Sequence, residues 1–367
     1  MKYLIDEKAA VPAYLQLYTQ IRNDITNGIF SYGSKLPSKR TMATESGVST
    51  ITVEHAYGLL LEEGYIESKE RSGYFVAFNT SDGFVPVMLK ESKPISKTVY
   101  NHGGDIVFPF SVLTKTMRKI ISDLGGTVFE RSPNSGCIEL RKAIQKYLAQ
   151  SRGIIADTEQ IIIGSGSEYL YTLLIELFGK KCVYAIESPS YKKIEQVYTA
   201  AEVELQKLPL GRDGIERSAL QKCNADVLHI SPYRSYPSGV TASASKRHEY
   251  LKWSEKGNRY IIEDDFESEF SVSTKNEETL FCHSTKDNVI YMNTFSKTVT
   301  SSFRAGYMVL PKKLSDEYAE RLGFYSCTVP TYIQLVLAEL ISNGDFERHI
   351  NRVRRKKRKQ LIQQKDI

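Results

Sequence analysis

Between residues 108 and 310 the chain alternates repeatedly between short apolar runs of strand length and longer stretches of helical period, and no other feature restricts its fold so strongly. The apolar runs fall at 161–163, 182–186, 227–230, 260–262, 289–292 and 306–310, and helical patterns at 112–124, 138–152 and 168–178. Such alternation predicts an α/β sheet covered by helices. Ligands then belong in the loops beyond the strand ends.

At 367 residues the chain exceeds one ordinary core, so two or three domains are expected. With 41% apolar and 25% charged residues it reads as a globular protein of aqueous surroundings. No apolar run reaches the roughly 18 to 20 residues that span a bilayer, so no membrane partner is expected. The opening Met1-Lys2-Tyr3-Leu4-Ile5-Asp6-Glu7 lacks the apolar stretch of an export signal, which predicts a cytoplasmic protein. Cys137, Cys182, Cys223, Cys282 and Cys327 are odd in number and far apart, and they read as reduced thiols, mostly in the core. The six histidines are equally scattered, so no metal is predicted.

A net charge of +6 points to a polyanion only where it is focused. Residues 1–78 hold eight Lys or Arg against nine Asp or Glu, whereas positions 352–359 are basic everywhere except Val353. Charge alone would thus point to the far end of the chain. That basic run reads more simply as the solvated face of a helix than as a nucleic-acid site.

The first segment nevertheless has a DNA-binding pattern. Residues 13–27 place Tyr14, Leu17, Tyr18, Ile21 and Ile25 on one helical face, with Gly28 following as a left-handed stop. Ser38 then caps a short helix that stops near Gly47, and Ser49 caps another whose Val53, Ala56, Tyr57 and Leu60 face inward. Two short helices joined at a glycine read as a helix-turn-helix, and the run from Tyr65 to Phe78, with a polar tip at 69–73, reads as a hairpin wing. Such a unit lays its second helix in the major groove and the hairpin tip beside phosphates. Thr50, Thr52 and His55 are expected at the bases. Lys35, Lys39, Arg40, Lys69 and Arg71 form the local basic surface, and Ser38, Ser49 and Gly73 lie within the same contact region. The runs Gly33-Ser34-Lys35-Leu36-Pro37-Ser38-Lys39-Arg40 and Gly47-Val48-Ser49-Thr50-Ile51-Thr52-Val53 closely resemble the GntR-type winged helix. Where that family usually has an Arg early in the recognition helix, this chain has Thr50.

In the second segment, four strand-end loops carry chemistry. Gly164-Ser165-Gly166-Ser167-Glu168 is a small-residue turn into a helix, whose free N–H groups and hydroxyls suit a phosphate, although alone it is a weak signal. Glu263-Asp264-Asp265 ends a buried strand with three carboxylates, which is costly unless they meet a cation, a metal or solvent. Ser296-Lys297 ends another strand with a lysine. Held among apolar groups, such a lysine can lose its proton and form a Schiff base, while Arg304 can clamp a phosphate with its planar fork. Tyr191 offers an aromatic face for a flat ring.

Residues 106–360 resemble the fold-type I pyridoxal-phosphate aminotransferases, and the whole chain resembles the MocR group of GntR regulators, which join the same two parts in this order. Ser135-Gly136, Glu139-Leu140-Arg141, Ser151-Arg152-Gly153 and Tyr236-Pro237-Ser238-Gly239 carry that likeness, together with the 33 residues separating Asp264 from Lys297. The resemblance implies an α/β/α aminotransferase-like domain over 106–367, incomplete at its C-terminus, preceded by a winged helix-turn-helix over 1–78 and a linker over 79–105. It implies pyridoxal phosphate as cofactor, with Lys297 as the catalytic, aldimine-forming lysine. Asp264 would pair the pyridine nitrogen and Tyr191 would stack on the ring. Arg304, Ser167 and Ser296 would hold the phosphate, with Gly166, Glu168 and Tyr236 completing the site.

Two departures weigh against turnover: Phe266 stands where the family has a Tyr that hydrogen-bonds the cofactor's phenolic oxygen, and Tyr236 stands where many active enzymes have Asn. Sensing is therefore expected over catalysis, with a working aminotransferase as the rival reading. The expected partners are double-stranded DNA with paired half-sites, a second copy of the chain, and an effector that is pyridoxal phosphate or an amino compound. The first effector is favoured because the domain that would supply a carboxylate-binding arginine is expected to be missing.

Overall fold

The computed structural model describes residues 3–6, 9, 11–79, 108–265, 268–271 and 278–365. Nearly all of the expected linker, and Phe266, lie outside the described residues. The chain divides into two compact units, Met1–Tyr100 and Asn101–Ile367.

In the first unit, helices α1 (Ala13–Thr26), α2 (Lys39–Ser46) and α3 (Thr50–Glu62) precede a hairpin of β1 (Ile66–Lys69) and β2 (Gly73–Val76). Both predicted caps form: the Ser38 hydroxyl accepts from the Thr41 N–H at 3.2 Å and that of Ser49 from the Thr52 N–H at 3.1 Å. Each satisfies an N–H that the helix start leaves without a partner. Gly47 ends α2 in the left-handed region, at φ 68°. Leu17, Ile21, Ile25, Val53, Ala56, Tyr57, Leu60, Ile66 and Val76 form one core, drawn entirely from this unit.

The second unit contains α4 (Phe110–Leu124), α5 (Ile138–Arg152), β3 (Ile161–Gly164), α6 (Ser167–Phe178), β4 (Val183–Ser188), α7 (Lys192–Ala200), β5 (Glu204–Gly211), β6 (Gly214–Ile215) and α8 (Arg217–Lys222). It continues with β7 (Val227–Ile230), α9 (Ala244–Ser254), β8 (Tyr260–Asp264), α10 (Leu280–His283), β9 (Val289–Thr294), β10 (Gly306–Val309), α11 (Lys312–Leu322), α12 (Thr331–Ser342) and α13 (Asp345–Lys365). The strands form an eight-stranded sheet in the order β3-β10-β9-β8-β7-β4-β5-β6. Pairing is parallel from β5 through β4, β7 and β8 to β9, while β10 runs antiparallel to both its neighbours.

Strand residues feed two faces alternately, as a period of two requires. Ile161, Ile163, Tyr291, Tyr307 and Val309 enter a core with α5 and α12, whereas Ile162, Ile290, Met292 and Met308 enter another with α6 and α11. Each buried side chain of this size contributes roughly 1.5–3 kcal/mol. Helices therefore cover both faces, and the α/β/α expectation holds. Among the described residues no helix is long and apolar enough to cross a membrane.

Candidate functional site

The sheet register delivers the chemistry to one edge. Gly306, the first residue of β10, pairs with Gly164 at the end of β3 and with Thr294 at the end of β9. Because β10 is antiparallel, the segment entering it, with Arg304, arrives where the chains leaving β3 and β9 turn away. Strands β4 and β8 finish at the same edge and supply Tyr191 and Asp264. Ser167, Glu168, Tyr191, Tyr236, Asp264, Ser296, Lys297 and Arg304, all named from the sequence, line one cavity of about 350 Å³. Gly166 lies at its rim with φ +96°, where a Cβ would come 3.4 Å from Glu168 Oε2 and 3.6 Å from Arg304 Nη2.

The three carboxylates ending β8 part company. Glu263 accepts from the Tyr233 hydroxyl at 2.6 Å and from the Leu280 and Phe281 N–H groups at 2.8 and 2.9 Å, so it anchors α10. Burial pushes its carboxyl up to about 7 against those hydrogen bonds. Asp265 turns to the opposite side, where it accepts from the Tyr291 hydroxyl at 2.7 Å and pairs with buried Arg152 at 3.3 Å. Only Asp264 faces the cavity. It accepts from the Tyr171 hydroxyl, and its Oδ2 lies 3.5 Å from His229 Nε2; the Tyr198 hydroxyl sits 3.0 Å from the other ring nitrogen.

Lys297 departs from expectation. It is exposed at the cavity rather than wrapped in apolar groups, because the polar Ser296, Ser301 and Thr294 share its edge. Arg304 is a non-glycine residue in the left-handed region, at φ 47° and ψ 41°, a conformation that costs about 1–3 kcal/mol and persists at sites where the surroundings enforce it. Its Nη2 lies 3.4 Å from Glu168 Oε2, and Lys193 Nζ holds the other oxygen of the same carboxylate at 2.5 Å. The rings of Tyr191 and Tyr236 meet edge to face, with centroids 6.0 Å apart.

Sequence reasoning missed Tyr171, Lys193 and His229. Tyr171 follows Ser167 by one helical turn on α6, a spacing that places it on the same face, and this was the available signal. His229 lies inside β7 and has no local pattern to mark it. The cysteines are also less uniformly core than expected: Cys137 and Cys223 are buried, Cys182 and Cys327 are half-buried and Cys282 is exposed.

In the first unit Thr50, His55, Arg40, Lys35, Lys69 and Arg71 are exposed. Thr52 is half-buried and its hydroxyl lies 2.9 Å from that of Ser49, so it belongs to the cap more than to the reading face. Ser38 likewise caps α2. Lys39 is tied to Glu54 at 2.6 Å across α2 and α3. Lys35 and Lys69 sit 5.9 and 4.8 Å from the Phe75 ring centroid, which anchors their stems to the hairpin. Arg71 and Gly73 shape the tip with φ of 58° and 108°. Ile51, 64% exposed in the first turn of α3, was not foreseen.

Comparison with known proteins agrees with this architecture. Residues 13–76 match the bacterial regulatory proteins of the gntR family, and residues 100–366 match the class I and II aminotransferases. The chain is 33% identical to the HTH-type transcriptional regulator YdeL of Bacillus subtilis, over 95% of this chain and 77% of that one. It is 27% identical to the HTH-type pyridoxine biosynthesis transcriptional regulator PdxR of Corynebacterium glutamicum, over 97% and 79% of the two. Among solved structures, a Pyrococcus horikoshii kynurenine aminotransferase superposes with a TM-score of 0.60 at 24% identity, covering 68% of this chain and 64% of its own. The second unit thus has the fold-type I aminotransferase fold, and the first is a GntR helix-turn-helix domain. The chain belongs to the MocR-type HTH transcriptional regulators of the GntR family.

Proposed function

We propose that this regulator binds paired DNA half-sites as a homodimer and that pyridoxal phosphate, held in the cavity of its second unit, modulates that binding. The observation that carries the reading is the convergence of Lys297, Asp264 and Arg304 on one cavity, in a chain that begins with a winged helix-turn-helix. When bound, pyridoxal phosphate supplies an aldehyde that condenses with amines and a pyridine nitrogen that favours a carboxylate partner. The donor set suits such a group. An exposed primary amine, Lys297, and a buried carboxylate, Asp264, line the same space. Arg304, Ser167, Ser296 and the N–H groups opening α6 suit an anion, and a Cβ at Gly166 would stand in contact with Glu168 and Arg304 at that site.

In this reading Lys297 holds the cofactor and Asp264 keeps its ring nitrogen protonated. Tyr171 and His229 orient Asp264, and Tyr191 with Tyr236 flanks the ring. The effector is pyridoxal phosphate itself, in keeping with the regulation of pyridoxine biosynthesis named for PdxR. Thr50 and His55 read bases, while Arg40, Lys35, Lys69 and Arg71 contact phosphates.

The test combines two measurements. Purified protein given near-stoichiometric pyridoxal phosphate should gain a visible absorption band, and borohydride should then fix the cofactor to the peptide containing Lys297. Lys297→Ala should do neither, and should leave binding of the chain's own upstream DNA unresponsive to the cofactor. Fixation at another lysine would overturn the site. Turnover of an amino-acid panel with a keto acceptor, undiminished by deletion of residues 1–78, would instead establish a working aminotransferase. A DNA response that appears only when an amine is added would make the amine the effector.

A further inference from the structure

Within the cavity, the groups suited to a phosphate already have an anionic partner in the chain itself. Glu168 lies in the first turn of α6, where the N–H groups and the positive end of the helix dipole favour an anion. Its carboxylate spans two cations, with Lys193 Nζ at 2.5 Å from one oxygen and Arg304 Nη2 at 3.4 Å from the other. Burial disfavours the charged form, yet the Lys193 hydrogen bond, the local N–H groups and Arg304 outweigh it and hold the carboxyl below its ordinary value. Glu168 is therefore an ionised side chain seated in an anion site.

Two anions cannot share those cations without mutual repulsion. Arg304 touches Glu168 through Nη2 at 3.4 Å, so a phosphate that engages the Arg304 fork competes with Glu168 for that nitrogen and repels its charge. The Glu168 side chain is 25% exposed, so it has a route to solvent without disturbing the core. The same holds for Lys193, at 47%.

We propose that Glu168 is a built-in competitor for the phosphate of the cavity's ligand: its carboxylate occupies Arg304 and Lys193 until a phosphate displaces it. Resting on the cofactor reading above, this makes Glu168 the residue that sets ligand affinity. Binding becomes an exchange of one anion for another and is held to a strength at which a change in ligand concentration changes occupancy. The backbone N–H of the same residue still serves the phosphate, so one position both supports the site and limits it.

The experiment compares the full-length chain with Glu168→Gln, which preserves shape but removes the charge and leaves one acceptor oxygen where there were two. Equilibrium dialysis would measure the affinity of each for pyridoxal phosphate, for pyridoxal and for inorganic phosphate alone. Glu168→Gln should bind pyridoxal phosphate and inorganic phosphate about fivefold more tightly, the effect of releasing one or two partly exposed ion pairs. Its affinity for pyridoxal, which has no phosphate, should stay the same. Unchanged or weaker phosphate affinity would overturn the proposal, because Glu168 would then be orienting Arg304. An equal gain for pyridoxal would also overturn it, since the effect would not lie at the phosphate. If neither protein fixes pyridoxal phosphate at Lys297 while Glu168→Gln still gains inorganic phosphate affinity, the competitor stands and the cofactor reading fails.

Discussion

At the end of β4, Glu187 is buried and accepts hydrogen bonds from the Ser235 hydroxyl at 2.7 Å and the Ser231 N–H at 3.3 Å. It thereby ties the Ser231–Tyr236 loop to the sheet. Burial pushes its carboxyl up to about 7 from an ordinary 4.5, although both hydrogen bonds oppose the rise. A raised folded value means that the native chain keeps the proton where the unfolded chain has lost it. The stability from this group is therefore complete below the unfolded value and is lost as pH rises through about 7. Glu263 and Glu269, also raised to about 7 by burial, share the window. The unfolding free energy of the second unit should fall between about pH 5 and about pH 8, and Glu187→Gln should remove on the order of 2–3 kcal/mol of that fall. Denaturant titrations at both pH values check this, and an undiminished slope in the variant would reject it. At this scale the sequence revealed residues by type and position in a motif: Lys297, Asp264 and Arg304 stand at strand ends and reach one cavity. It did not reveal their partners. Tyr171, His229 and Lys193 matter through contacts made by tertiary folding, and Glu263 and Asp265 leave the site because Tyr233 and Arg152, far away in the chain, claim them.

Among the elements, the turn before α5 depends on a glycine. Gly136 has φ +101°, and a Cβ there would meet Ile163 Cγ1 at 2.4 Å, Ile163 Cβ at 2.7 Å and Gln334 Oε1 at 2.9 Å. The turn is thus wedged between β3 and α12, with Gln334 Oε1 also accepting the Cys137 N–H at 2.7 Å. Gly136→Ala should destabilise the second unit by about 2–4 kcal/mol, combining overpacking with backbone strain. A loss below 0.5 kcal/mol in chemical denaturation would show that the wedge yields. On α3, exposed Ile51 is an apolar side chain in the turn proposed above to read bases, where a thymine methyl would be its natural contact. Replacing individual thymines of the bound half-site by deoxyuridine should weaken binding at one position for the native chain and not for Ile51→Ala. Equal losses for both would remove Ile51 from base reading. Long periodic elements such as α1 and α5 were legible to within a residue, because their apolar faces repeat every turn. β5 was not, since Glu204–Gly211 lies near a sheet edge with mostly exposed or half-buried residues and so lacks an apolar run. Strands β8 and β9 run two residues beyond their apolar cores into polar Glu263-Asp264 and Asn293-Thr294, where pairing with neighbouring strands, not hydrophobicity, holds them extended.

On the scale of the molecule, each unit has its own core: Tyr3 to Val76 form one cluster, and the clusters of the second unit draw only on residues from Phe108 onward. The first unit's charge is balanced overall, so the affinity of its reading face must come from placement. Lys35, Arg40, Lys69 and Arg71 are exposed around α2 and the hairpin, whereas Glu54 is neutralised by Lys39, and Glu63 accepts a hydrogen bond from Tyr18. A fragment of residues 1–79 should therefore fold by itself and recognise a single half-site with the same base preference as the full chain. Its affinity should fall steeply between about 50 and about 200 mM salt, since each phosphate contact releases counterions. On paired half-sites the full chain should bind about a hundredfold more tightly than the fragment, because the proposed dimerisation, if made by the second unit, would make the second contact intramolecular. That advantage should vanish when one half-site is scrambled or when the spacing shifts by half a helical turn, which turns the second site to the opposite side of the duplex. Mobility-shift titrations on these three DNAs, with both proteins, read out all of it. An equal affinity of fragment and full chain for paired sites would mean that the second unit does not hold two DNA-binding units together. An affinity of the fragment indifferent both to salt and to Arg40→Ala would mean that the DNA surface lies elsewhere.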